Sequence, residues 1–154
     1  FLDPKILKKI KEIFLRSRGN TAVITPIYKL STEDIENPNI VKVIRSQDDL
    51  AIYFSRAPIP FNRDQNIENW TKYNSYWGHV GVYGFRGDIV SKWDSYPESK
   101  LEDIEALEQL RLIYAGVKIN TFVIDNNSFS IDTYDQLIEA RQIWNNIIKH
   151  RINS

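Results

Sequence analysis

The run from His79 to Arg86 carries polar side chains where a core strand should be apolar. Side chains along an extended strand alternate between its two faces. One face of this run would therefore carry His79, Gly81, Tyr83 and Phe85. Because Gly81 has no side chain and a strand rises about 3.3 Å per residue, His79 and Tyr83 would stand roughly 13 Å apart. We predict that the gap between them is the wall of a pocket for a small polar ligand.

The segment from Leu101 to Ala115 is predicted to be a single helix with a carboxylate among apolar side chains. At about 100° per residue its apolar members form one broad arc, made of Leu101, Ile104, Leu107, Leu110, Leu112 and Tyr114. Glu108 falls inside that arc and is expected to be at least partly buried, where a charge needs a partner or a ligand. The pattern leaves open whether Glu108 forms a structural pair with Arg111, one turn on, or is a site residue.

The length and charge of the chain restrict the functions it can have. The 154 residues fit one domain or part of a larger one, and the 20 basic and 20 acidic residues cancel. This balance predicts no nucleic-acid partner. The apolar runs are too short to span a bilayer and no signal-peptide pattern is present, so we expect no membrane insertion and a cytoplasmic location. The absence of Cys excludes disulfides and thiolate catalysis, and two His residues exclude a His-rich metal site.

Helical and extended patterns alternate along the chain, which predicts an α/β fold. A helix is predicted from Pro4 to about Ser17, ended by Gly19 and Asn20, with strands over residues 21–28, 40–45, 50–55 and 118–124. The second and third strands are separated by a short polar turn, which predicts an antiparallel hairpin. An extended arm is predicted over residues 57–76, a short helix near residues 88–95, and a last helix from Asp132 or Thr133 to about His150.

Five blocks of the sequence stand in an order and at a spacing that are informative together. They are NPNIVKV (residues 37–43), YFSRAPIP (53–60), HVGVYGFR (79–86), LEQLR (107–111) and IDT (131–133). Together they closely resemble the later half of the CMP-Kdo synthetase family, the 3-deoxy-manno-octulosonate cytidylyltransferases. The resemblance implies that residues 1–154 form one α/β segment of a nucleotide-diphospho-sugar transferase-like domain. Its mixed sheet would have flanking helices and an antiparallel dimerisation extension, without the family's preceding Rossmann-like nucleotide half.

Enzymes of that family transfer CMP from CTP to 3-deoxy-manno-octulosonate (Kdo) and release pyrophosphate, for lipopolysaccharide assembly. The resemblance therefore implies a magnesium-dependent cytidylyltransferase, with CTP and a 3-deoxy-2-keto sugar acid as substrates and a homodimer as its assembly. Asp132 matches the family's late metal-binding Asp, which implies a catalytic role as a ligand of Mg²⁺. By its local pattern alone Asp132 is a helix N-cap, and the two roles are compatible.

The resemblance also implies residues that hold the sugar acid. His79, Tyr83, Glu108 and Gln109 match positions that contact its hydroxyls in the family. These residue types suit a polyol, because carboxylate and amide oxygens accept from hydroxyls while the imidazole and the phenol can donate or accept. Arg56 lies in the Ser-Arg-Ala-Pro-Ile-Pro block. Its guanidinium suits a carboxylate or phosphate of the substrate, or a structural ion pair at the dimer seam.

Two other functions stay open from the sequence. The chain's enzyme class would be unchanged if the substrate were another 2-keto sugar acid, such as a sialic acid. Alternatively, the chain would be a non-catalytic fragment that binds sugar or dimerises, because no Gly-rich loop for phosphate occurs in these residues. In either case we expect an apolar face to be exposed where the family's nucleotide half would pack.

Overall fold

The computed structural model describes residues 3–17 and 19–125, and residues 134, 137, 138, 140–142, 144 and 145. The chain divides into two compact units, one of Lys5–Asn127 and the other of Phe1–Pro4 with Ser128–Ser154. In the second unit the described residues from 134 to 145 are helical, as the prediction of a last helix requires. The ends of that helix, with Asp132 and His150, lie outside the described residues.

The elements follow the predicted alternation of helices and strands. The strands are β1 Val23–Lys29, β2 Lys42–Arg45, β3 Ala51–Ser55, β4 Trp77–His79, β5 Gly84–Phe85 and β6 Ile119–Val123. The helices are α1 Pro4–Ser17, α2 Thr32–Ile35, α3 Trp70–Tyr73, α4 Gly87–Ser91, α5 Lys100–Glu105 and α6 Gln109–Tyr114. Single 3₁₀ turns lie at Ile67–Asn69 and Trp93–Ser95. Among the described helices, none is both long enough and apolar enough to cross a bilayer.

Helix α1 occupies the predicted residues. Pro4 suits a first helical position because its ring presets φ and the missing N–H has no partner there. Ile6 and Ile10 form the buried stripe, and the chain leaves the helix through Gly19, whose φ is 87°. That stripe packs on Ile24 of β1. Helix α1 therefore covers one face of the sheet.

Strand β1 lies inside a mixed sheet and pairs on both of its edges. On one edge β6 runs parallel to β1, with Val23 opposite Ile119 and Ile27 opposite Val123. On the other edge β4 and β5 both run antiparallel to it. Strands β2 and β3 extend the sheet beyond β4, and they form the predicted antiparallel hairpin. The mixed sheet expected from the sequence is thus confirmed.

The largest buried cluster lies on the face of the sheet opposite α1. It is built from fully buried residues of the central strands and of α6, which include Val23, Ile27, Val43, Phe54, Leu110, Leu112 and Ile119. A smaller cluster beside α2 and α3 holds Tyr28, Leu30, Ile35, Trp70 and Tyr76. The segment from residue 57 to 76, predicted to be an arm, contains no strand, only short helical turns.

The predicted strand through His79 to Phe85 is interrupted. Ile27 of β1 pairs with His79, whereas Ile24 pairs with Gly84. Three steps along β1 therefore face five steps along the segment from β4 to β5, which has two extra residues. The extra length forms a bulge, in which the amide of Val82 donates to the carbonyl of Val80 at 2.6 Å across Gly81. The predicted 13 Å gap between His79 and Tyr83 is therefore wrong, and their ring centroids lie 5.1 Å apart.

The predicted single helix over residues 101–115 is two helices. Ala106, with φ 50° and ψ 53°, ends α5 in the left-handed region, and α6 starts at Gln109. The break changes the helical phase, so Ile104 is 79% exposed while Leu110 and Leu112 are fully buried. The predicted apolar arc is thus wrong.

The break also changes the surroundings of the charged residues on these helices. Glu108 is exposed rather than partly buried. Arg111 pairs with Glu102, at 2.7 and 3.0 Å, rather than with Glu108. The structural Glu108–Arg111 pair left open from the sequence is therefore absent.

A substitution at Gly84 tests the packing of α1 on the sheet. A Cβ there would lie 2.4 Å from Cγ2 of Ile10 and 2.7 Å from Cε2 of Phe14. We expect Gly84→Ala to lower the free energy of unfolding by about 1–3 kcal/mol, because α1 must shift to make room. The measurement is urea unfolding followed by circular dichroism.

Gly87→Ala is the matched control, because nothing lies within 4 Å of a Cβ at Gly87, the first residue of α4. We expect it to change the stability by less than about 0.5 kcal/mol. Equal effects of the two substitutions would contradict the described packing.

Candidate functional site

A row of aromatic rings leads from the sheet to the bulge. Phe54 of β3 contacts His79 edge to face at 5.1 Å, and His79 contacts Tyr83 at 5.1 Å. Tyr83 contacts Phe85 at 5.5 Å, which in turn contacts Trp93 at 6.1 Å. The bulge thus brings together the two ring residues that the sequence predicted as ligand contacts. We call His79, Tyr83, Glu108 and Gln109 the polar cluster.

His79 is neutral at physiological pH. Its Nε2 lies 2.9 Å from the hydroxyl of Thr25 on β1. Desolvation lowers the pKa of His79 from 6.5 to about 4, because burial disfavours the charged ring. The ring is therefore a hydrogen-bonding group at pH 7 rather than a cation.

Two polar atoms of the cluster are buried without a partner. Among the described residues, only the hydroxyl of Tyr83 and Nε2 of Gln109 are buried side-chain nitrogen or oxygen atoms with no hydrogen bond. Burial and the charge of Glu108 raise the pKa of Tyr83 well above 10, so the phenol keeps its proton. An unpaired buried donor costs about 1–3 kcal/mol, which makes a polar ligand the natural partner for both atoms.

The helix break places Glu108 and Gln109 at the start of α6. Glu108 is the residue that precedes α6. Its side chain is exposed, and its negative charge contributes to the raised pKa of Tyr83. Gln109 is the first residue of α6 and is only 8% exposed. Four side chains of the types predicted for a polyol therefore come from the bulge and from the start of α6.

Arg56 lies beside this cluster but is engaged in holding the backbone. Its guanidinium donates to the carbonyls of Glu105 (2.8 Å), Pro38 (3.0 Å) and Ala106 (3.3 Å). A guanidinium has five N–H groups, so some remain for a ligand. Both predicted roles of Arg56, toward a carboxylate or phosphate of the substrate and in an ion pair at the dimer seam, stay predictions.

A half-buried carboxylate and a buried lysine near Arg56 were missed in the sequence. The carboxylate of Glu105 accepts from the hydroxyl of Ser55 (2.6 Å) and from the amide of Arg56 (2.8 Å). Lys42 is fully buried and donates to the carbonyls of Asn37 (2.9 Å) and Ile40 (2.8 Å). Burial, with the charge of Arg56 as a second cause, lowers the pKa of Lys42. A lysine inside the apolar strand around Val43 was the available signal.

The described residues do not by themselves form a metal site. No group of three His, Asp or Glu side chains among them is arranged to hold an ion. Asp132, the predicted ligand of Mg²⁺, lies outside the described residues. The magnesium site therefore stays a prediction.

The mixed sheet and its helices define an α/β protein, and its two unpartnered donors are of a kind that a polar small molecule would satisfy. Residues 1–119 match the model of the cytidylyltransferase family. The chain therefore belongs to the cytidylyltransferase family.

Individual relatives agree with this assignment. The chain is 38% identical over 146 residues to the 3-deoxy-manno-octulosonate cytidylyltransferase of Thermodesulfovibrio yellowstonii, a match that covers 93% of the chain and 57% of the relative. It is 46% identical over 116 residues to the enzyme of that name from Alteromonas mediterranea, covering 73% of the chain and 46% of the relative. The chain thus spans about half the length of the curated relatives it matches.

A solved structure is similar over the same part. It is the CMP:2-keto-3-deoxy-manno-octonic acid synthetase in complex with CTP, with a TM-score of 0.84 and 30% identity. The match covers 94% of the chain and 57% of that protein. The family resemblance predicted from the five sequence blocks is confirmed.

Burial of His79 predicts a pH dependence of stability. Since the pKa of His79 is about 4 in the folded state and 6.5 when unperturbed, the unfolded chain takes up the proton first as the pH falls. We expect the contribution of neutral His79 to the free energy of unfolding to be complete above pH 6.5. It is lost as the pH falls from 6.5 to 4, by up to about 1.4 kcal/mol per pH unit. The measurement is urea unfolding at several pH values.

The comparison variant is His79→Gln, which removes the titrating ring. The stability difference between the parent chain and His79→Gln should shrink as the pH falls through this window. His150→Gln is the control, because it removes the other His and leaves His79 in place. Parallel stability curves for the parent chain and His79→Gln would rule out the buried, neutral imidazole.

Proposed function

We propose that this chain is the sugar-acid-binding part of a magnesium-dependent cytidylyltransferase that transfers CMP from CTP to Kdo. The observation that carries the proposal is two buried, unpartnered donors, the Tyr83 hydroxyl beside neutral His79 and the Gln109 amide next in sequence to Glu108. A sugar acid rich in hydroxyl groups satisfies both donors. The names of the similar proteins support Kdo as that sugar acid.

In the proposed reaction the anomeric hydroxyl of Kdo attacks the α-phosphorus of CTP, and pyrophosphate leaves. The chain's own residues bind and orient the sugar: Tyr83 and Gln109 donate to its oxygens, and the carboxylate of Glu108 accepts from a hydroxyl. Mg²⁺ supplies neutralisation of phosphate charge in chemistry of this kind, and we retain Asp132 as its proposed ligand. The product would serve lipopolysaccharide assembly.

The proposal includes a homodimer in the cytoplasm, as predicted from the sequence. In it, the dimer contact comes from the antiparallel part of the sheet and the arm over residues 57–76. Phe61 and Tyr73 of that arm are large apolar residues that are 75% and 62% exposed, which suits a surface that a second subunit covers.

The test is pyrophosphate release by the full polypeptide that the gene encodes, with CTP and Mg²⁺. Kdo and N-acetylneuraminate are supplied in parallel reactions. Turnover of Kdo supports the proposal, and turnover of N-acetylneuraminate alone replaces the substrate by a sialic acid. Kdo binding by calorimetry without turnover of either acid would leave a non-catalytic sugar-binding protein.

Tyr83→Phe separates ligand binding from stability. Since the Tyr83 hydroxyl is buried without a partner, we expect its removal to leave the unfolding free energy unchanged or to raise it by up to about 1 kcal/mol. The same change should weaken Kdo binding roughly tenfold, because the sugar loses a donor. Differential scanning calorimetry and titration calorimetry measure the two effects.

The matched control is Tyr114→Phe, because Tyr114 is 61% exposed on α6 and lies outside the polar cluster. Tyr114→Phe should change neither the free energy of unfolding nor the affinity for Kdo. Unchanged Kdo affinity in Tyr83→Phe would remove Tyr83 from the site.

A further inference from the structure

Thr25 is a fully buried residue of β1 that faces the bulge between β4 and β5. Its Oγ1 lies 2.8 Å from the carbonyl of Val82 and 3.2 Å from the carbonyl of Val80. The same atom lies 2.9 Å from Nε2 of His79. One hydroxyl therefore contacts three polar atoms of the segment that forms the site.

Proton accounting decides the direction of each hydrogen bond. A hydroxyl has one hydrogen, and a carbonyl oxygen can only accept. The nearer carbonyl, that of Val82, takes this hydrogen, because two oxygens 2.8 Å apart with no proton between them repel. The bond between Thr25 and His79 then needs its hydrogen from Nε2, since the hydroxyl has none left and its lone pairs can accept.

We propose that Thr25 is a positioning residue that fixes His79 as the neutral Nε2–H tautomer and leaves Nδ1 as a bare acceptor. Of the described residues, none donates a hydrogen bond to Nδ1. The group that approaches Nδ1 must therefore bring a proton of its own.

This requirement determines which part of a ligand His79 can bind. A sugar hydroxyl donates to Nδ1, whereas a carboxylate or phosphate oxygen has only lone pairs to offer and is repelled. Resting on the proposed function, the inference assigns His79 to a hydroxyl of the sugar acid. The carboxylate of the sugar acid must then lie at donors elsewhere in the site.

The first experiment reads the tautomer without any ligand. In a chain labelled with ¹⁵N at histidine, a long-range ¹H–¹⁵N spectrum at pH 7 distinguishes the protonated ring nitrogen from the bare one. The signals of His79 are assigned with His150→Gln, since the chain has only two His residues. We expect the proton on Nε2. A proton on Nδ1 would overturn the proposal.

The second experiment changes Thr25. Thr25→Val has nearly the same shape but no hydroxyl, and Thr25→Ser keeps the hydroxyl. We expect Thr25→Val to increase the fraction of the Nδ1–H tautomer and to weaken Kdo binding roughly fivefold to tenfold. Thr25→Ser should keep the tautomer and the affinity of the parent chain. An unchanged tautomer in a folded Thr25→Val chain would also overturn the proposal.

The two readouts separate this proposal from the proposed function. If Kdo does not bind to the parent chain while Thr25→Val shifts the tautomer of His79, the positioning role of Thr25 stands and the Kdo assignment fails. If Kdo binds but Thr25→Val changes neither spectrum nor affinity, the function stands and the role of Thr25 is refuted. Should Thr25→Val not fold, Thr25→Ala, which also lacks the hydroxyl, is measured in its place with the same expected shift.

Discussion

The pairing of β1 along both of its edges is the constraint on which the rest of the structure depends. A strand with neighbours on both edges has its backbone hydrogen bonds committed, so its side chains alone determine what each face can hold. On one face Ile24 receives α1, and on the other Val23 and Ile27 lie in the largest buried cluster. Thr25 is the polar exception on that second face, and the bulge forms opposite it.

The local elements were predictable because their signals are local. Periodicity from Pro4 to Ser17, ended by a glycine, gave α1 within its observed bounds. The polar turn between β2 and β3 likewise gave the hairpin and its antiparallel direction. In each case the residues that determine the conformation lie within a few positions of one another, so the sequence pattern is sufficient.

The two errors share a physical cause, which is long-range hydrogen bonding. The bulge depends on the Thr25 hydroxyl and on carbonyls more than fifty positions away, and the break at Ala106 depends on Arg56 at a similar separation. Helical periodicity alone extended the helix through that break and so placed Glu108 among apolar residues. The family resemblance, by contrast, gave His79, Tyr83, Glu108 and Gln109 as one group. The structure places His79 against Tyr83 and the charge of Glu108 near Tyr83, and the role of the four residues as a site stays a prediction.

Under the proposed function, the polar cluster favours ligand binding at the expense of the stability of the free chain. Tyr83 packs against the largest buried cluster, and Gln109 is itself buried. Apolar side chains would suit both positions, yet each residue carries a polar atom with no partner. Their burial without hydrogen bonds destabilises the free chain, and a bound polyol would recover that loss. The arrangement is therefore typical of a preformed site, in which the protein orders its polar groups before the ligand arrives.

Side-chain hydrogen bonds, rather than backbone pairing between strands, hold the junction between α5 and α6 against the end of β3. The carboxylate of Glu105 accepts hydrogen bonds from residues at the end of β3. In return, the guanidinium of Arg56 donates to the backbone carbonyls of residues 105 and 106. Such a segment can open as a local unit while the sheet stays folded, because few backbone hydrogen bonds must break. The amide protons at the start of α6 should then exchange with solvent faster than those of β1.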